Sequence, residues 1–158
     1  MMEFDEVDRS LLAHLQIDAS QSTERLARAV GVSKTAAWNR VQRLQSAGVI
    51  KKQVVVLDAE KVGLKETFFI AIKTNQHNEK WLIRFNEVVN RYPEIVEAHR
   101  LSGETDYLLK VQVSSTRNFD DLYKKIVSDV DLYSVTSNLS MQVLKQNSPL
   151  PIPQVAGG

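Results

Sequence analysis

Cysteine is missing from all 158 residues, which excludes a disulfide framework and any thiolate metal site and suits a reducing compartment. Also absent is any apolar run approaching the ~20 residues that span a bilayer. The first residues, MMEFDEVDRSLL, are acidic and offer no basic segment followed by an apolar one, so no signal peptide is expected. A soluble cytoplasmic protein without a membrane partner is the resulting expectation. Proline is scarce, and three of the four fall at Pro149, Pro151 and Pro153. They deny helix or central strand to residues 147–158, for which a mobile tail or an extended strap over a neighbour is expected. Net charge is only +1, so bulk charge argues nothing about nucleic acid. What remains is 43% apolar, enough for a packed core in one ordinary domain or two small ones.

Acidic residues are missing from one stretch in particular. Between Arg25 and Gln53 stand Arg25, Arg28, Lys34, Arg40, Arg43, Lys51 and Lys52 with no Asp or Glu, whereas Glu3, Asp5, Glu6, Asp8 and Asp18 precede them. A charge run is usually a solvated face. Here it coincides with a pattern of short helices. Asp5–Ile17 reads as a first helix, capped by Asp5, with Val7, Leu11, Leu12 and Leu15 inward and Asp8 favouring its positive end. Ser22–Val30 reads as a second, with Leu26, Ala27 and Val30 inward. Ser33–Ala47 reads as a third: Ser33 is an N-cap, Ala37, Val41 and Leu44 form one stripe, and Gly48 is an αL stop. Two helices joined by a tight glycine-containing turn, the second with donors on its outer face, make a helix-turn-helix. Trp38, at the edge of the stripe, is read as core filling in preference to base stacking, since duplex binders seldom need a stacking platform. His14 is read as a packed or surface histidine, with no ligand partner at metal spacing.

After Gly48 the pattern becomes β-branched, Val49–Leu57, which predicts a short hairpin wing or a linking strand. Asp58–Glu66 reads as a connector turning at Gly63. The second half alternates strand and helix: Phe68–Thr74, a helix Glu79–Tyr92 stopped by Pro93, Ile95–Leu101, Tyr107–Val113, a helix Phe119–Val130, and Val135–Leu144. The order βαββαβ is the ferredoxin-like arrangement, a four-stranded antiparallel sheet with both helices on one face. The fold class is therefore α+β, a winged helix-turn-helix domain followed by this sheet domain. Its bounds are 1–53 for the DNA-binding domain, 54–66 for the linking strand and connector, 67–146 for the sheet domain and 147–158 for the tail. Phe68/Ile70/Ile72 and Phe69/Ala71 leave both sheet faces apolar, and a second copy of the chain is the simplest cover.

Several of these stretches resemble the Lrp/AsnC, or feast/famine, transcription regulators. The matching residues are Asp8, Leu11, Leu12 and Leu15; Leu26-Ala27 and Val30-Gly31-Val32-Ser33; Trp38 to Leu44; and Gly48-Val49-Ile50. In the second half they are Ser102-Gly103-Glu104-Thr105-Asp106-Tyr107-Leu108-Leu109-Lys110-Val111, with Met141 and Lys145. The usual Pro-Gly before the last strand is replaced by Ser128–Tyr133. The resemblance implies a homodimer assembling to tetramers or octamers, double-stranded DNA as partner, and a small effector, typically a free amino acid, bound in the C-terminal, so-called RAM, domains. It carries the effector loop onto Arg100, Ser102, Gly103, Glu104, Thr105 and Asp106, with Asn138, Leu139 and Ser140 from the last strand.

The chemistry fits those assignments. A zwitterion needs an anion for its ammonium, which Asp106 can supply, and backbone donors for its carboxylate, which a glycine loop can bring close. The same loop also reads as a polar hairpin turn with Asp and Gly for turn reasons. On the DNA side, Ser33, Lys34, Thr35 and Asn39 open the recognition helix, where Asn pairs with adenine and a Thr methyl meets a thymine methyl. Arg25, Arg28, Arg40, Arg43, Lys51 and Lys52 suit phosphates. Acids of the first helix compete for Arg40 and Arg43. No phosphate loop, nucleophile elbow, cofactor motif or metal cluster is legible, so a regulator rather than an enzyme is expected. The alternatives are an architectural DNA-compacting protein and a sirohaem-decarboxylase-like enzyme on the same fold, for which His77, His99 and Arg100 would be the residues of interest.

Overall fold

The computed structural model describes residues 3–153; Met1, Met2 and the tail beyond Pro153 lie outside it. Two compact units result, one from the residues up to Val55 together with those from Lys145 onward, the other from Val56–Leu144. No described helix is long and apolar enough to cross a membrane.

In the first unit, three helices form where their caps dictate. Helix α1 (Glu6–Ile17) starts as Asp5 Oδ1 accepts the Asp8 N–H at 2.8 Å. Ser22 caps α2 (Thr23–Ala29) through the Arg25 N–H, and Ser33 caps α3 (Lys34–Ser46) through the Ala36 N–H. Gly48 ends α3 at φ +72°, a conformation costly for any residue with a Cβ. Its N–H donates to Gln45 O and the Val49 N–H to Leu44 O, satisfying two carbonyls left over at the helix end. Gly31 (φ +71°) closes α2 in the same way, with Gly31 and Val32 donating to Arg28 O and Ala27 O. Leu11, Leu26, Ala27 and Ala37 pack together, flanked by Val7, Leu15, Val30 and Val32.

The expected wing is not there. Among the described residues no strand lies between α3 and the sheet, and Val54, Val55, Val56 and Leu57 are all well exposed. A β-branched run becomes a strand only against a neighbour, and among the described residues this one has none. The described part of the tail, as far as Pro153, groups with the first unit and bonds to α1. The Leu150 N–H donates to Gln16 Oε1 at 2.6 Å, Gln16 Nε2 donates to Leu150 O at 3.3 Å, and Arg9 Nε donates to Pro153 O at 3.3 Å.

The second unit is the expected sheet domain: β1 (Glu66–Lys73), α4 (Glu79–Arg91), β2 (Ile95–Arg100), β3 (Tyr107–Val113), α5 (Thr116–Asp129) and β4 (Ser134–Leu139). The spatial order is β2-β3-β1-β4 with every neighbour antiparallel. Alternation does the sorting. Phe68, Ile70 and Ile72 of β1 and Tyr107, Leu109, Val111 and Val113 of β3 face one core. The helices bring Trp81, Phe85, Val88, Phe119, Leu122 and Ile126 into it, with Phe68 stacked on Phe119 at 3.7 Å between centroids. The opposite face keeps Phe69 partly exposed, and Lys110 Nζ meets Glu97 Oε1 there at 2.9 Å, which holds the Glu97 carboxyl below its usual range. The last strand stops at Leu139 rather than Leu144.

Candidate functional site

Helix α3 presents two different flanks. Its buried positions, Ala37, Val41 and Leu44, fix the orientation. Thr35 and Asn39, both exposed, lie on the side away from them. Ser33 is exposed as well, but its hydroxyl already serves the helix as cap. Lys34 is exposed and 3.8 Å from Glu24, itself exposed. Arg25 and Arg28 project from α2 into solvent, and Lys51 and Lys52 follow the α3 stop, exposed.

Arg40 and Arg43 form the other flank, and both pair with acids at the start of α1. Arg40 Nη1 donates to Asp5 Oδ2 at 2.6 Å and to Asp8 Oδ1 at 2.9 Å, while Arg43 Nη2 donates to Asp8 Oδ2. Asp8 is 1% exposed, and the sequence reading of it as a partner of the helix end alone is too weak. It is a buried carboxylate whose two oxygens are each matched by a guanidinium. The Asp8 N–H, followed by Arg40, holds the Asp5 carboxyl below its usual range, and the two carboxylates raise Arg40 in turn. Arg43 keeps about half its side chain in solvent and Arg40 less than a third.

Trp38 is where the sequence reading fails. It is 52% exposed and belongs to no core. The helical angle could have shown this: Trp38 sits about 100° round from Ala37, beyond the edge of the stripe.

In the second unit, the loop between β2 and β3 is pinned at one end and free at its tip. The Leu101 N–H donates to Asp106 O at 2.8 Å and the Asp106 N–H to Ile72 O at 3.0 Å. Asp106 Oδ2 accepts the Thr74 N–H at 2.8 Å. Arg100, Ser102, Gly103 and Glu104 are exposed, Thr105 and Asp106 half-buried, and Gly103 has φ +129°. Two residues that the sequence did not single out complete the neighbourhood. Lys73 approaches Glu104 at 3.7 Å, and Thr74 is buried with its hydroxyl accepting the Gln76 N–H. Asn138, Leu139 and Ser140 are not brought to this loop. Asn138 pairs with Phe69 and Leu139 with Phe68, and the Ser140 N–H donates to Thr67 O, all at the opposite end of β1.

Other chemistry is not assembled. Among the described residues no group of three His, Asp or Glu side chains converges as a metal set. His77 and His99 are exposed, the latter 3.5 Å from Glu97. A cavity of about 480 Å³ beside the start of α4, lined by Asn78, Lys80, Trp81, Arg84, Asp129 and Asp131 among others, contains none of the expected site residues.

Comparison with known proteins places these features in a family. Residues 4–45 match the AsnC-type helix-turn-helix domain and residues 67–150 the Lrp/AsnC ligand binding domain. The chain is 42% identical over 149 residues to the DNA-binding transcriptional activator DecR of Escherichia coli, covering 94% of this chain and 98% of that one. It is 40% identical to an AsnC family transcriptional regulator from Agrobacterium tumefaciens of known crystal structure, with TM-score 0.89 and coverage of 94% and 97%. A feast or famine regulatory protein from M. tuberculosis, solved in complex with L-methionine, is 26% identical with TM-score 0.84 and coverage of 96% and 100%.

Proposed function

This chain belongs to the Lrp/AsnC family of DNA-binding, effector-responsive transcriptional regulators, and on that premise we propose which residues carry each part of the task. Residues 1–53 read DNA and 67–146 take the effector and join copies of the chain. Helix α3 enters a major groove. Thr35 and Asn39 meet base edges there, with Lys34 at the mouth. Arg25, Arg28, Lys51 and Lys52 hold phosphates on either side, which orients the helix without specifying sequence. Ser33 contributes mainly as the cap. Arg43, half in solvent, reaches a phosphate while still tied to Asp8, and Arg40 positions the helix. The observation that carries this reading is the doubly capped α2–turn–α3 unit, whose basic segment has no acid of its own beyond Glu24.

The effector is an amino acid. Its ammonium meets Asp106, whose second oxygen accepts no hydrogen bond among the described residues. Its carboxylate meets N–H groups of the loop formed by Ser102, Gly103, Glu104 and Thr105, beside Arg100. The apolar stretch Val54–Leu57 and the Phe69 face of the sheet are covered by a second copy, making a homodimer that assembles further. Two recognition helices then read half-sites about one helical turn, or a multiple of it, apart.

Fluorescence anisotropy on duplex DNA over a salt series tests the first part. Replacing Arg25 and Arg28 with Ala lowers affinity for every sequence and reduces the slope of log K against log salt by about 2 per half-site. An unchanged slope removes α2 from the interface. Sedimentation and DNA binding, repeated with each of the common amino acids, test the second part. Indifference of both to all of them rules the effector class out. Conversely, a response that vanishes in Asp106→Asn supports the loop.

A further inference from the structure

Trp38 is the large apolar side chain of α3 that neither the cap, the core nor the acid clamp uses. A half-exposed tryptophan on a short helix leaves a large apolar ring in water, in a unit whose core already closes without it. Its neighbours on the helix surface are Lys34 four residues before, Thr35 three before and Gln42 four after. That flank has no acid of α3 itself, Glu24 of α2 approaching only Lys34 at 3.8 Å, and it lies on the far side of the core stripe from Arg40 and Arg43, which are occupied with Asp5 and Asp8. The clamp fixes the rotation of α3. Trp38, Thr35 and Gln42 are thereby offered together to whatever occupies the space in front of the helix.

We infer that Trp38 is a specificity-determining residue that reads thymine in the major groove, a proposal resting on the reading that α3 enters that groove. The chemistry selects the base. An indole is an apolar ring with a single polar atom, Nε1–H, which donates and cannot accept. In the major groove thymine shows a methyl group and an O4 acceptor. Cytosine shows a bare C5 and an N4 donor. The ring packs against the methyl and the N–H suits the O4, whereas cytosine meets a donor with a donor and offers no methyl. Insertion between bases is not required, since apolar wedges that unstack a step work from the minor groove.

The probe is a duplex enriched by this protein from a randomised library, compared with a scrambled duplex of equal length. Because the position is exposed, Trp38→Ala and Trp38→Phe should fold normally. Trp38→Ala is expected to lower the ratio of enriched to scrambled affinity by fivefold or more per half-site, about one good base contact. Affinity for the scrambled duplex and its salt slope should stay within about twofold. Deoxyuridine substitution then isolates the methyl group. At one thymine per half-site, removal of the methyl weakens the wild type severalfold and leaves Trp38→Ala indifferent. Incorporation of 5-fluorotryptophan gives two fluorine resonances from Trp38 and Trp81. The one missing in Trp38→Phe shifts on the enriched duplex, and the buried Trp81 signal stays. An unchanged affinity ratio in Trp38→Ala, or a deoxyuridine penalty equal in both proteins, overturns the proposal while the groove reading stands. A wild type that ignores all duplex DNA at low salt overturns both.

Discussion

Replacing Asp8 with Asn separates two views of the helix-turn-helix, as a unit held by its small apolar core or as one held by a buried charge. Asp8 is almost wholly buried and pairs with Arg40 through one oxygen and with Arg43 through the other. A charged hydrogen bond contributes about 1.5–3 kcal/mol, and stranding a buried charge costs more. Here the stranded groups are guanidiniums with 29% and 49% of their side chains in solvent, so water recovers part of the loss. Since Asn keeps one acceptor, Asp8→Asn should destabilise the first unit by about 2 kcal/mol. Asp5→Asn is the control. Asn caps as well as Asp, and Asp5 is 53% exposed, so its pair with Arg40 is worth about 0–1 kcal/mol. Amide hydrogen exchange reads the unit by itself. Protection of the α1–α3 amides should fall about thirtyfold in Asp8→Asn and less than about fivefold in Asp5→Asn. Equal losses in the two variants, or a fall below threefold in Asp8→Asn, would refute the buried clamp.

Three other outcomes follow from the same kind of reasoning. In the second unit, the Tyr92 hydroxyl, then Arg91 and Arg84, hold the Asp129 carboxyl below its model-compound value of 3.8. A depressed carboxylate contributes stability above its unfolded pKa and loses it as pH falls through and below about 4, so an acid titration followed by near-ultraviolet circular dichroism should show a steeper loss in wild type than in Asp129→Asn. Between pH 6 and 8 the two curves should run parallel. Leu150→Pro preserves the extended backbone of the tail but deletes the N–H that donates to Gln16; limited proteolysis should cut the tail faster, and Gln16→Ala should add little to that variant. Gly48→Ala meets no atom within 4 Å, so its cost of about 1–2 kcal/mol is backbone strain alone and appears as faster exchange in the last turn of α3.

Local chemistry was legible because it needs no partner beyond a few residues. Asp5, Ser22 and Ser33 cap where short polar side chains precede an apolar stripe, and Gly48 stops α3 where only a left-handed residue can. Alternation of two in β1 and β3 was enough to divide core from exposed face. The failures have a common cause. Val49–Leu57 has the composition of a strand, but pairing is a property of two segments and this one finds no second among the described residues. The competition between phosphate and carboxylate for Arg40 and Arg43 was visible, yet its outcome depends on a packing of α1 against α3 across more than thirty residues of sequence. The Gln16 amide that receives the tail gave no signal at all, because one glutamine on a polar helix face resembles any other.

The effector residues show the same limit from the other side. The family resemblance carries both Asp106 and Asn138–Ser140 onto one ligand, but only the register shows where each stands. Asp106 is bonded to Ile72 and Thr74 at the end of β1, and Leu139 pairs with Phe68 near its start. Ile72 and Phe68 are four residues apart, about 13 Å along a strand, too far for the head group of one amino acid to touch both. If both segments serve the effector, two copies of the chain must supply them. Effector binding and association are then linked, and whatever factor the effector adds to assembly, assembly must return to effector affinity. Such a regulator would bind its ligand more weakly when diluted, a behaviour that a site complete within one chain and uncoupled from assembly could not produce.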